Sequence, residues 1–246
     1  MFDDLTNKVG LITGGNGRLG QTFAKALSSN NRVYLVDIQP DPIVVMRNVA
    51  YYQADITNEG SIAKVLAEIF RIEGRLDFLV NNAALQICRP FERMTVEDFR
   101  RSMDVNLTGA YVCIRGAAES MMLSRSGVIV NIGSMYGVIS ADPSIYGESG
   151  LNSPDAYAAS KGGLIQLTRY LAVNLAKYNI RVNAISPAGV FDNQGEEFMS
   201  KYLPKCPIGR MLNREELLGP LFFLLSSASS YVTGHNLIVD GGFTIV

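Results

Sequence analysis

Short apolar runs alternate along this chain with stretches whose apolar residues recur every three or four positions. The runs at 8–13, 32–37, 49–54, 76–81, 127–134, 180–186 and 236–240 read as strands, and helical patterns lie between them. In the first interval Leu19, Phe23, Ala26 and Leu27 share one helical stripe, which Ser28-Ser-Asn-Asn31 stops. Strand, helix and strand repeated in this way imply right-handed crossovers and a parallel sheet covered on both faces. Sheets of that kind bind ligands at the carboxyl ends of their strands. The pattern contains no repeat, linker or low-complexity tract.

Composition narrows the picture. A chain of 246 residues with 48% hydrophobic content can bury one sizeable core, so residues 1–246 are expected to form a single domain. The formal net charge is −1 with acids and bases interspersed, which argues against a nucleic-acid or anionic-membrane partner. The longest late apolar run, 221–225, is far below the ~20 residues needed to span a bilayer. Cys88, Cys113 and Cys206 are odd in number and far apart, and the start Met1-Phe-Asp-Asp lacks a charged and an apolar leader region. A cytoplasmic location is therefore expected. His235 is the only histidine and the cysteines do not cluster, so no metal site is expected.

The densest chemical signal is Tyr157-Ala-Ala-Ser-Lys161, because residues four apart on a helix share a face and set an ammonium beside a phenol. A fixed cation favours the phenolate, which is expected to draw Tyr157 toward useful proton transfer. The pair opens an apolar helix, 157–177, and Ser134 waits at the carboxyl end of the strand before it. Near the start, a strand runs into Thr13-Gly14-Gly15-Asn16-Gly17-Arg18-Leu19-Gly20, which contains G-x-G-x-x-G at Gly15, Gly17 and Gly20. A helix follows, and Asp37 closes the second strand seventeen residues beyond Gly20, where an acid can accept hydrogen bonds from an adenosine ribose. Glycines let backbone approach a pyrophosphate, whose charge a helix N-terminus stabilises. NAD is the expected cofactor, since Asp37 would repel a 2′-phosphate; NADP stays open because of Arg18.

Taken in order along the chain, these motifs resemble the short-chain dehydrogenase/reductases in their single-domain, NAD(P)-dependent branch. The glycine turn is followed by Asp55-Ile56, Asn81-Asn82-Ala83-Ala84, Asn106 in Val105-Asn-Leu-Thr-Gly109, Ser134, Tyr157 with Lys161, Pro187, and Val239-Asp-Gly-Gly242. The resemblance implies a Rossmann-like, doubly wound α/β fold with a seven-stranded parallel sheet. It also implies a catalytic tetrad of Asn106, Ser134, Tyr157 and Lys161. The cofactor would lie against Gly14, Asn16, Gly17, Arg18, Leu19, Gly20, Asp37 and Ile38, with Asp55, Ile56, Asn82, Ala83 and Ala84 around adenine and ribose. Tyr157, Lys161, Pro187 and Val190 would border the nicotinamide half. Plainer readings stand beside these: Asn106 bonding backbone within a long helix, Ser134 as a turn hydroxyl, and Asp55 as a helix N-terminal acid.

Three departures from the family pattern matter. The pattern T-G-x-x-x-G-x-G has Arg18 at its middle glycine, so Arg18 either reaches a phosphate or is solvated. Ala84 and Ala188 stand where glycine is usual, which is costly if either backbone needs positive φ. Phe191-Asp-Asn-Gln194 replaces a threonine region.

The mechanism so implied is hydride transfer between nicotinamide and a carbinol or carbonyl carbon, with Tyr157 exchanging the proton and Ser134 holding the oxygen. Lys161 would lower the Tyr157 pKa and bond the nicotinamide ribose, and Asn106 would position a water leading from Lys161. Twenty-two residues separate Ser134 from Tyr157, and the excess at 141–154 would overhang the carbonyl. A second candidate lid, 190–211, carries Asp192, Asn193, Gln194, Glu196 and Glu197, suited to a hydroxyl-rich, sugar- or polyol-like substrate. Both segments also read as ordinary solvated loops. Ser134, Tyr136, Tyr157 and Gln194 are the expected substrate contacts. These stretches are similar to dehydrogenases of flagellin modification and nonulosonic-type sugar biosynthesis. Alternatives are a 3-oxoacyl carrier-protein reductase, with Arg89, Arg93, Arg100 and Arg101 as a basic patch, and a non-catalytic nicotinamide sensor. The apolar tail 229–246 and the helices around 103–122 and 164–175 exceed one apolar stripe, and with the resemblance they imply a homotetramer.

Overall fold

The computed structural model describes residues 4–147, 149 and 151–246; the first three residues of the start motif, and Glu148 and Gly150 of the 141–154 segment, lie outside the described residues. Seven parallel strands form one sheet: β1 (Val9–Thr13), β2 (Arg32–Asp37), β3 (Val49–Gln53), β4 (Phe78–Asn81), β5 (Gly127–Ile132), β6 (Ile180–Pro187) and β7 (Asn236–Val239). Their order is β3-β2-β1-β4-β5-β6-β7. The order reverses between β1 and β4, which opens a crevice at the carboxyl edge.

Alternation along the strands divides the core in two. Leu11, Tyr34 and Val36 face a layer made by α2 (Glu59–Glu73), by α4 (Ala110–Ser124) and by the carboxyl part of α5 (Asp155–Leu175). Ile12, Val33 and Leu35 face the opposite layer, made by α1 (Arg18–Leu27) and α7 (Leu218–Leu225). The sheet is thus covered on both faces, as near-continuous apolar strands require. In α1 the buried stripe is Phe23, Ala24 and Leu27. Leu19 and Ala26, expected on that stripe, are only half-buried; Gly20, against the Gly14 carbonyl, completes the buried stripe instead.

Two helices differ from expectation in instructive ways. The stretch around Asn106 is not one continuous helix: α3 (Val96–Met103) passes through a π-helical turn, Asp104–Gly109, before α4 begins. One extra residue per turn rotates Asn106 inward, a device often found at functional sites. α5 starts two residues earlier than expected, at Asp155, with Pro154 in extended backbone as its N-cap and the residue before a proline disfavoured in helical backbone. Tyr157 therefore lies in the first turn.

A third apolar cluster sits over the carboxyl edge of the sheet. It joins Met135, Tyr136 and Ile145 with Tyr202, Cys206, Met211 and Phe243. α6 (Glu196–Tyr202) packs here through ring contacts of Tyr146 with Phe198 (5.6 Å), Phe198 with Tyr202 (5.4 Å) and Tyr202 with Phe243 (4.9 Å). Lys205 also pairs with Asp142 at 2.7 Å. Part of each segment, 142–146 and 198–211, is consequently packed together rather than left as a solvated loop, while 191–197 stays largely exposed.

Candidate active site

Backbone geometry decides which glycines of the first turn matter. Gly14 has φ +67°, and a Cβ there would meet Ala83 Cα at 2.8 Å; at Gly20 a Cβ would lie 2.1 Å from the Gly14 carbonyl oxygen. Gly17 has φ −68° and meets only that oxygen, at 3.2 Å. At Gly15 a Cβ would lie 2.7 Å from Leu35 Cβ, so Gly14, Gly15 and Gly20 are the constrained glycines, and Arg18 at the start of α1 needs no special backbone. Ala84 and Ala188 are likewise absent from the residues with positive φ, so neither alanine is strained.

The turn is tied to its neighbours by side chains. Thr13 Oγ1 accepts from the Asn82 and Ala83 amides, both at 3.1 Å, and Asn82 Nδ2 donates to the Thr13 and Gly14 carbonyls at 3.0 and 3.1 Å. Asp37 accepts from the Asn16 and Gln39 amides at 2.9 and 3.2 Å. The Asn16 side chain, expected at the cofactor, turns outward instead. Its Nδ2 donates to the Asp41 carbonyl and to Tyr51, and its Oδ1 accepts from the Ile43 amide, which pins the segment after β2. Asp55 accepts from the Thr57 amide and hydroxyl, both at 2.8 Å.

Between these parts runs a cleft of about 900 Å³. Gly14, Gly17, Arg18, Leu19, Asp37 and Ile38 line one side; Asp55, Ile56 and 82–86 the middle; Arg101, Asp104 and Val190 complete it. Most residues expected to touch a dinucleotide are therefore brought together. Pro187, at the end of β6, is buried and does not line this cleft.

At the reacting end, Ser134 is buried just past β5, accepts from the Tyr136 amide at 3.1 Å and hydrogen-bonds the Tyr157 phenol. Burial raises the Tyr157 pKa and the Ser134 bond lowers it, with Cys88 and Tyr146 adding smaller raising effects. The residue as a whole keeps some surface, but the phenol itself is enclosed. The expectation that Lys161 draws the Tyr157 pKa down is corrected: the net shift is upward, because burial outweighs the Ser134 bond, and Lys161 Nζ lies 5.6 Å from the Tyr157 ring centre and donates to the Ile132 carbonyl at 2.7 Å. Burial lowers Lys161 itself to about 8.

Asn106 is buried with its carboxamide committed. Oδ1 accepts from the Leu85 amide at 2.6 Å, while Nδ2 donates to the Leu85 carbonyl at 2.9 Å and to Ser160 at 3.0 Å. Ser160 in turn donates to the Tyr157 carbonyl at 2.8 Å. Asn106 thus clamps the segment after β4 to the first turn of α5; it does not bond Lys161 directly. Two expected substrate contacts are also redirected. Tyr136 is buried among aromatics and hydrogen-bonds Tyr146, and Gln194 folds back onto the Asp192 amide and the Val190 carbonyl. Sequence reasoning missed Cys88 and Tyr146 beside the Tyr157 phenol, since only folding brings 85–90 and 141–154 to α5. It also missed the buried ladder Asn81–Asn131–Thr168, whose bonds of 2.9 Å join β4, β5 and α5.

A model described as enoyl-(acyl carrier protein) reductase, of the short-chain dehydrogenase type, matches residues 19–244. The chain belongs to the short-chain dehydrogenase/reductases. An NAD-dependent glycerol dehydrogenase of Listeria innocua is 34% identical, over 98% of this chain and 96% of that protein. Glucose 1-dehydrogenase 2 of Bacillus subtilis is 31% identical over 100% and 98%. A short-chain dehydrogenase from Leptospira borgpetersenii, solved with bound NAD+, shares 41% identity over 98% of this chain and 94% of that one, with a TM-score of 0.92. The chain is an oxidoreductase of this family with its Rossmann-like sheet.

Proposed function

We propose that the protein is an NAD-dependent dehydrogenase of a secondary alcohol on a small polyol- or sugar-like substrate. The observation that carries this reading is the Ser134–Tyr157 hydrogen bond just past β5, on the same carboxyl edge of the sheet as the 900 Å³ cleft, with Lys161 buried one helical turn beyond Tyr157. The cofactor supplies hydride chemistry; the chain orients it and moves the proton. Tyr157 exchanges the proton of the reacting hydroxyl, Ser134 holds that oxygen, Lys161 sits where a nicotinamide ribose would reach it, and Asn106 fixes the geometry of both walls. Gly14 and Gly20 allow the pyrophosphate close to α1.

The charge around Asp37 supports NAD over NADP. Asn16, Asp37, Gln39, Asp41 and Ile43 surround the space beyond Asp37, so two carboxylates and no cation would face a 2′-phosphate. Arg18 is held by Asp192 instead. The glycerol and glucose dehydrogenases among the relatives support a hydroxyl-rich substrate, and none of the relatives named above is a flagellin-modification enzyme. A carrier-protein substrate is less favoured, because Arg89 is paired with Asp98 at 2.7 Å and the other arginines alternate with Glu92 and Glu97. One catalytic domain, a cytoplasmic location and a tetramer complete the reading. Its support is a single sheet, cysteines that form no disulfide, and apolar residues exposed on α4 and α5. Among the described residues no helix is long and apolar enough to cross a membrane.

The test is reduction of NAD+ followed by absorbance across polyols, aldoses and sugar acids, repeated with NADP+. Turnover with at least one such alcohol is expected, at higher kcat/KM with NAD+, and Tyr157→Phe should lower kcat by about 10²–10⁴-fold. Turnover unaffected by Tyr157→Phe, or confined to acyl thioesters, would refute the assignment.

A further inference from the structure

Resting on the reading that NAD fills the cleft, we infer that Arg18 and Asp192 form an ionic strap that closes over the bound dinucleotide and slows its release. Arg18 opens α1 directly after β1, and Asp192 follows β6; β4 and β5 lie between those strands. At the usual strand spacing of about 4.8 Å the two residues belong to elements roughly 14 Å apart. Yet Arg18 Nη1 and the Asp192 carboxylate are in contact. The Arg18 side chain and the segment after β6 therefore span the carboxyl edge between them, and Val190 of that segment lines the same cleft as Gly14, Arg18 and Asp37.

The segment is braced for this reach. The Phe191 amide donates to the Leu212 carbonyl at 2.8 Å, and Val190 bridges Leu212. Gln194 grips the backbone leading into Asp192: Oε1 accepts from the Asp192 amide at 2.8 Å and Nε2 donates to the Val190 carbonyl at 2.9 Å. Asn193 takes φ +54°, which turns the chain back after the acid. Gln194 thus positions Asp192 rather than substrate. The strap also joins two of the places where this chain departs from its family's pattern, Arg18 and 191–194. With a pyrophosphate at the start of α1, next to Arg18, a carboxylate held on Arg18 would be unfavourable unless its charge were matched, and Arg18 matches it.

That point gives the experiment a sign. NADH affinity by fluorescence titration, and NADH dissociation by stopped-flow displacement, should be measured for wild type, Arg18→Gln, Asp192→Asn, the double variant and the exchanged pair Arg18→Asp with Asp192→Arg. The strap requires Asp192→Asn to speed dissociation by about two- to fivefold, the range carried by an ion pair of this exposure. The double variant should be no faster than the worse single one, the exchanged pair should recover toward wild type, and added salt should speed the wild type but not the variants. Tighter or unchanged NADH binding in Asp192→Asn, or additive effects of the two single changes, would overturn the strap, since Arg18 would then act on the phosphates alone. Failure of the wild type to bind NADH would instead overturn the cofactor reading itself.

Discussion

Tyr157 has opposing neighbours, and its titration follows from which one is removed. Oxidation of an alcohol needs the phenolate, burial opposes it and the Ser134 hydrogen bond favours it. Ser134→Ala is therefore expected to move the alkaline rise of kcat/KM to higher pH, besides weakening the hold on the reacting oxygen; a pH–rate profile checks this. Lys161 makes a complementary prediction for stability. Its folded pKa is about 8 against an ordinary 10.5, so between those values the unfolded chain binds a proton that the folded chain does not. Stability then rises with pH across that window, by up to about 3 kcal/mol, and the full penalty applies below it. Lys161→Met lacks this term, so the wild type should gain on the variant in denaturant melts from pH 8 to 10.5.

At the scale of elements, the glycine turn shows what a motif string can and cannot say. The string marks Gly15, Gly17 and Gly20, but the fold makes its demands at Gly14, by positive φ, at Gly15, by the close approach of Leu35, and at Gly20, by contact with the Gly14 carbonyl, and not at Gly17. Gly20→Ala should cost about 1–3 kcal/mol through forced shifts in the turn, and should weaken NADH binding. Gly17→Ala should cost under about 1 kcal/mol, because its extended backbone suits any residue. Thermal melts and NADH titration of the two variants check the contrast. The seven strands were legible because buried parallel strands are short apolar runs whatever their neighbours. The π-helical turn at Asp104–Gly109 was not, because its sequence keeps ordinary helical periodicity and only the packing of Asn106 on Leu85 and Ser160 selects it.

For the whole molecule the open question is assembly. Tyr170 and Val173 on α5, and Tyr111 and Leu123 on α4, expose between 44% and 81% of their surface, and Ile245 and Val246 are exposed at the tail. These exposed apolar residues are the surface proposed to carry the contact between subunits. Light scattering should show a mass well above one 26.8 kDa chain, and Tyr170→Glu with Val173→Glu should lower it; an unchanged mass would place the interface elsewhere. Removing 243–246 tests something else. Phe243 is buried against Tyr202, so its loss should loosen α6 and lower turnover even within a single subunit.

The sequence by itself determined the parallel sheet, the placement of Ser134, Tyr157 and Lys161 at strand and helix ends, and the acid that closes β2. Each of these depends on local period or on spacing within one element, which the chain writes directly. Only the tertiary structure decided what those groups touch: Lys161 on the Ile132 carbonyl, Asn16 on the segment after β2, Gln194 on its own loop, and Arg18 on Asp192. Such partners lie up to 174 positions apart, as Arg18 and Asp192 do by the difference of their numbers. Long flexible side chains have several partners within reach, and the choice among them is made by the approach of distant backbone rather than by the residues themselves.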